Sequence, residues 1–125
     1  MIRQLHLQRF PKGKDYMNAA GLTFVLNGVS SVLTMPMFQT LVTNGQIGQD
    51  ELDGTRKDLA AVVNTLQNTP GEKIEAMVDQ YNDELTEHLE KFDSEWTQDY
   101  LSAFRDAQMM AGFVTTIMAK SGLKE

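Results

Sequence analysis

Apolar residues recur at helical spacing over most of the chain. Leu22, Val25, Leu26, Val29, Val32 and Leu33 follow the periodicity of one buried face of a helix, and Asp15 or Asn18 can cap its start. Proline at position 36 disfavours helical geometry at Met35, so this first helix is predicted to end or kink there. A short helical piece from Met37 to Val42 can follow before Asn44 and Gly45 stop it. Gly21 and Gly28 fall on nearly one face, where another helix is expected to approach closely. Leu52, Leu59, Val62, Val63 and Leu66 give a second helix its apolar side. That helix is predicted to begin at Asp50, with Asp53 in the first turn complementing the helix dipole, and to end at Asn68-Thr69-Pro70.

The sharpest local signal is Thr69-Pro70-Gly71-Glu72. Thr69 suits an N-cap, Pro70 the first helical position where its missing N–H is harmless, and Glu72 the far side of a capping box. The stripe that follows is Ile74, Met77, Val78, Tyr81, Leu85, Leu89 and Phe92. No glycine or proline interrupts the chain between Gly71 and Gly112. One helix of about 50 residues, near 75 Å at ~1.5 Å per residue, would fit. Two helices meeting at the capping residues Asp93 and Ser94 fit better, because helices of that length are rare in single domains. The last segment carries Trp96, Tyr100, Leu101, Phe104, Ala111, Val114 and Met118, and Lys120 with Gly122 forms its stop.

Ahead of the helices, Gln4-Leu5-His6-Leu7-Gln8 alternates polar and apolar residues before the turn at Phe10-Pro11-Lys12-Gly13. This reads as an extended arm laid on its own helices, or less readily on a partner. The pattern as a whole predicts an all-α fold. It is a bundle of about four helices with a kinked first helix and long acidic C-terminal segments, made by residues 15–125 as one domain and preceded by a basic arm over residues 1–14.

Composition changes this picture little, but charge changes it more. An apolar fraction of 42% and a charged fraction of 22% are ordinary for a globular chain of 125 residues. Without cysteine there are no disulfides, thiolate nucleophiles or cysteine-based zinc sites, which suits a cytoplasmic location. The net charge of −6 is unevenly spread. Arg3, Arg9, Lys12 and Lys14 stand in the arm with no acid before Asp15, whereas residues 72–106 hold eleven acids against three basic residues. Such polarity favours a positive arm meeting a negative helix, within a molecule or between copies. Duplex nucleic acid is not an expected partner, since the basic cluster is one short arm. The arm's charge resembles that of a cleaved presequence; a retained, packed arm is the favoured expectation.

Residues 16–49 carry no charged side chain, and Ala19 to Phe38 is long enough to raise the question of a membrane span. Thr23, Asn27, Ser30, Ser31, Thr34 and Pro36 interrupt it, so a buried core helix is expected instead.

Glu84 and His88 have the spacing of two ligands on one helical face, but Lys91 occupies the next turn, and a solvent-facing ion pair is the favoured reading. No Glu-x-x-His repeat of the di-iron type occurs. The hydroxyls lack a base at activating spacing, and Gly45-Gln46-Ile47-Gly48 is not a phosphate loop. No catalytic residue, cofactor or metal is therefore predicted. Methionine is abundant, and core filling is its simplest use. Met109 and Met110 are adjacent and cannot share one narrow stripe. With Phe113 and Ile117, Met110 begins a second apolar face, which implies burial in the bundle centre or in an oligomer interface.

Two functions remain. The first is a non-enzymatic structural or adaptor subunit of a larger assembly or homo-oligomer, touching partners through Arg3, Arg9, Lys12, Lys14 and the face of Met110, Phe113 and Ile117. The alternative is an acidic immunity-protein, antitoxin-like or inhibitor protein that meets a basic protein through residues 72–106, with Asp83, Glu87 and Glu90 in contact.

Overall fold

A computed structural model describes residues 18–96 and 100–123, with backbone alone for residues 93–96. They form five helices: α1 (Ala19–Val32), α2 (Pro36–Thr43), α3 (Gln49–Gln67), α4 (Gly71–Trp96) and α5 (Tyr100–Lys120). The fold is all-α, as predicted. The expected basic arm, with Arg3, Arg9, Lys12 and Lys14, lies outside the described residues.

Asn18 starts α1 by accepting the Gly21 N–H on Oδ1 at 2.8 Å, which satisfies one of the donors a helix leaves open at its first turn. Met35 then takes the extended geometry imposed by the following proline, at φ −72° and ψ 149°. Pro36 opens α2, and the two helices differ in direction by 49°. The kinked first helix of the sequence pattern is this α1–α2 corner. Arg56 of α3 holds it from outside, donating Nε–H to the Leu33 carbonyl at 3.0 Å. A cation at the carbonyl end of α1 is favourable there.

Two glycines end helices in the left-handed region that side chains resist. At Gly45 (φ 76°), the Gln46 N–H reaches back to the Leu41 carbonyl at 2.9 Å. At Gly122 (φ 77°), the Leu123 N–H reaches the Met118 carbonyl at 2.8 Å. Both are Schellman closures, and the second folds Leu123 into the core at 5% exposure.

Several expected boundaries shift for local reasons. Helix α3 begins at Gln49, one residue early, because Glu51 accepts the Gly48 N–H on Oε1 at 3.1 Å. This is half of a capping box, since glycine has no side chain to return the bond. The predicted box at Thr69 does not form. The Thr69 hydroxyl turns back to the Thr65 carbonyl at 2.6 Å, and the carbonyl of Pro70 accepts the Ile74 N–H at 3.3 Å. Pro70 is therefore the cap, not the first helical residue. The break expected at Asp93–Ser94 is not found there, because α4 stays helical through Trp96. Helix α4 bends instead at Tyr81 (φ −116°, ψ 20°), where neither glycine nor proline stands.

Helices α4 and α5 pack closely and are joined through residues 97–99, so they form an antiparallel hairpin. Helix α3 runs alongside α5 in the same direction, and α1 lies along α3 and α4. The predicted stripes point inward: Leu22, Leu26, Leu52, Leu59, Leu85 and Leu89 are fully buried, and α2 inserts Phe38 and Leu41. The close approach expected at the glycines of α1 is absent at Gly28, where a Cβ atom would meet nothing within 4 Å. Gly28→Ala should therefore raise the unfolding free energy by about 0.5–1 kcal/mol through reduced backbone entropy of the unfolded chain. A chemical denaturation midpoint at or below that of the parent protein would refute this.

Candidate functional site

The acidic side chains of α4 stand on its solvent face because its aliphatic residues claim the other. Asp83, Glu87 and Glu90 are exposed, one helical turn apart, and Glu72, Glu75 and Asp79 continue the line toward the start of the helix. The acidic contact set is thus brought together on one surface.

The apolar set of α5 is divided. Met110 and Ile117 are buried at 0% and 2% exposure, so they serve the bundle interior and not an outer contact. Met109, their neighbour, is 49% exposed. Phe113 is half-buried and stacks on His88 across the α4–α5 hairpin, with ring centroids 4.6 Å apart and planes 10° from parallel. The solvent-facing ion pair expected between Glu84 and His88 is replaced by this stack, because His88 falls on the edge of the α4 stripe that meets α5.

Burial, and secondarily the charge of Lys91, hold the His88 imidazole below its ordinary pKa of 6.5. Above pH 6.5 the ring is neutral in folded and unfolded chains alike. Between 6.5 and the lower folded value the unfolded chain binds more protons, so stability falls as pH drops through that window and levels off beneath it. An imidazole titration followed by NMR should give a midpoint below 6.5. A midpoint above it would mean that Glu84 and Glu87 govern the ring instead.

A second polar cluster ties α3 to α5. Glu51 Oε2 meets Arg105 Nη1 at 2.7 Å, and the same nitrogen donates to Gln108 Oε1 at 3.2 Å. The guanidinium also lies over the Phe104 ring, 5.4 Å from its centroid. The Gly48 N–H, and then Arg105, keep the Glu51 carboxyl below the usual range. One carboxylate thereby caps α3 and anchors α5. Residues 51 and 105 stand far apart in the chain, and no local pattern connects them.

Between α3 and α5 runs an open groove of about 560 Å³, floored by small residues such as Ala61, Ala111 and Gly112, with Leu123 at its end. Its polar lining is Asp58, Thr65 and Thr115. Among the described residues, no group of three histidine or carboxylate side chains is placed to hold a metal ion.

The surface of α1 and α2 differs from both. From Asn18 to Gln49 every exposed residue is uncharged, and the outward line of α1 is Ala20, Phe24, Asn27 and Ser31. No single described helix is long and apolar enough to cross a membrane, although α1 and α2 pass that test when taken together. Most of their large apolar residues are spent on the core, and the outward positions mix amides and hydroxyls with Ala20, Phe24, Met35 and Pro36.

No known protein family, curated protein or solved structure matches the chain.

Proposed function

We propose that the protein is a non-enzymatic structural or adaptor subunit that acts through its surfaces. The observation that carries this reading is the division of the exterior by helix, with α4 lined by exposed acids and α1–α2 bare of charge over its whole exposed length. Contact surfaces are built this way, since the centre of an interface is depleted of charge while charged faces steer encounter and reject wrong partners. The lack of cysteine suits work in a reducing compartment such as the cytoplasm.

The exposed line of Asp83, Glu87 and Glu90 supports a second reading, in which α4 captures a basic protein. Charge steering of that kind is strongly salt-dependent. The two readings separate in one experiment: affinity capture from the native source with the parent chain, with Asp83→Lys/Glu87→Lys/Glu90→Lys, and with Asn27→Glu/Ser31→Glu. Loss of a basic partner in the first variant alone, with release in moderate salt, selects the inhibitor-like reading. Loss of assembly in the second alone selects the subunit reading. A parent chain that neither associates with itself nor retains any partner defeats both.

A further inference from the structure

We infer that the chain's own basic arm docks in the groove between α3 and α5, with Leu5 and Leu7 on the groove floor. The inference goes beyond either reading of the partner, and its failure leaves both standing.

The groove sets the shape of what fills it. It is open, holds about 560 Å³, and is apolar along its floor, where Val62, Met118 and Leu123 are buried and Ala61 and Gly112 are exposed. Its walls run from Asp58 to Thr65 on α3 and from Ala111 to Ala119 on α5, roughly 12 Å at ~1.5 Å per residue. A further helix about 10 Å across would take roughly 900 Å³ over that length, more than the groove holds. An extended segment of about four residues, at ~3.3 Å each, matches it.

The arm joins the bundle at the mouth of this groove. Arg56 reaches the Leu33 carbonyl, so the end of α1 stands level with the middle of α3. Only seven residues of α3 precede Arg56, too few to pair with the 14 of α1, so α1 runs back toward Gln67 and brings Asn18 to that end. Leu123, which closes the groove, is at the same end, beside Asn64, Asn68 and Pro70. Residues 1–17 precede Asn18, the first described residue, and span up to roughly 55 Å at ~3.3 Å per residue. Crossing the end of α3 uses about 10 Å of that.

Composition then selects the segment. In Gln4-Leu5-His6-Leu7-Gln8 an extended backbone puts both leucines on one side, about 7 Å apart, and the polar residues on the other. A chain entering at Leu123 and running toward Asp58 lays down Leu7, then Leu5, then Arg3. Asp58 is the charged residue of the groove wall, and it is exposed. Arg3 thereby meets a carboxylate as the leucines meet the floor. The acidic line of α4 offers the arm countercharge but no apolar bed for Leu5 and Leu7.

The chain has no cysteine, so His6→Cys places a single nitroxide on the outward side of the arm. In the full-length, isotope-labelled protein, paramagnetic broadening should be strongest at amides of residues 58–65 and 111–119. Leu5→Asp/Leu7→Asp should abolish it there. Asp58→Lys should lower the docked fraction relative to the undocked about two- to fivefold, whereas Asp83→Lys, the same charge change on α4, should leave it within that margin. Circular dichroism checks that each variant keeps its helicity, and Gln8→Cys carries the label should His6→Cys fail to fold. Broadening strongest along Asp83 to Glu90, broadening nowhere on the helices, or broadening unmoved by the two aspartates overturns the inference. So does broadening of the groove when a spin-labelled chain is mixed with a separate isotope-labelled one, since the occupant is then another copy's arm.

Discussion

Replacing Met110 with alanine is expected to lower the unfolding free energy by about 2–5 kcal/mol, whereas Met109→Ala should change it by no more than ~0.5 kcal/mol. The two side chains are consecutive in the chain but leave α5 about 100° apart around its axis. Met110 is fully buried, among the largest side chains with no solvent contact, while Met109 is half-exposed. Truncating Met110 removes its thioether arm from a closed interior, leaving a cavity that its helical neighbours Ala107 and Val114, themselves fully buried, can fill only in part. For a chain of this size the melting temperature should fall on the order of 10 °C. Urea denaturation of the two variants beside the parent gives the answer. Equal, small effects would mean that Met110 faces outward, and would restore the apolar face of Met110, Phe113 and Ile117 as a partner contact.

That contrast marks where sequence reasoning loses its grip. A helix that is apolar around much of its girth leaves open whether the extra face meets its own bundle or another molecule. Only the positions of α3 and α4 decide, and they use Met110 and Ile117 for the interior. His88 is a similar case: its spacing from Glu84 permits an ion pair, but the packing angle of α4 on α5 presents it to Phe113.

The features that were legible have causes within a few residues. Pro36 bends the chain through its own ring and its effect on Met35; Gly45 and Gly122 end helices because they accept positive φ. The apolar stripes fixed which side of α1, α3 and α4 turns inward. Even local signals fail when a closer partner competes, as when the Thr69 hydroxyl bonds the carbonyl of Thr65 and leaves the capping role to Pro70. The bend at Tyr81 and the Glu51–Arg105 tie lie beyond any such window. Charge was legible as a count, and the acidic line of α4 follows directly from its stripe. The same counting marked residues 16–49 as uncharged, yet only the fold shows which of the described ones face outward: Asn27, Ser31 and Gln39 are exposed, whereas Thr23 and Ser30 are half-buried.

Phe38→Ala should have an effect as large as that of Met110→Ala, about 3–5 kcal/mol, but with a different spatial signature. Helix α2 has 8 residues, too few to persist as an isolated helix in water. Its N-cap, Met35, makes no side-chain hydrogen bond, so its stability comes from what it buries. Phe38 at 0% exposure and Leu41 at 7% are its two anchors in the core. Removing the phenyl ring takes away most of that burial, and local unfolding of α2 then lies below global unfolding in free energy. Amide exchange should accelerate first over residues 36–43, while the α4–α5 hairpin keeps its protection until the whole bundle opens. Uniform acceleration along the chain would show that α2 is not a separable unit.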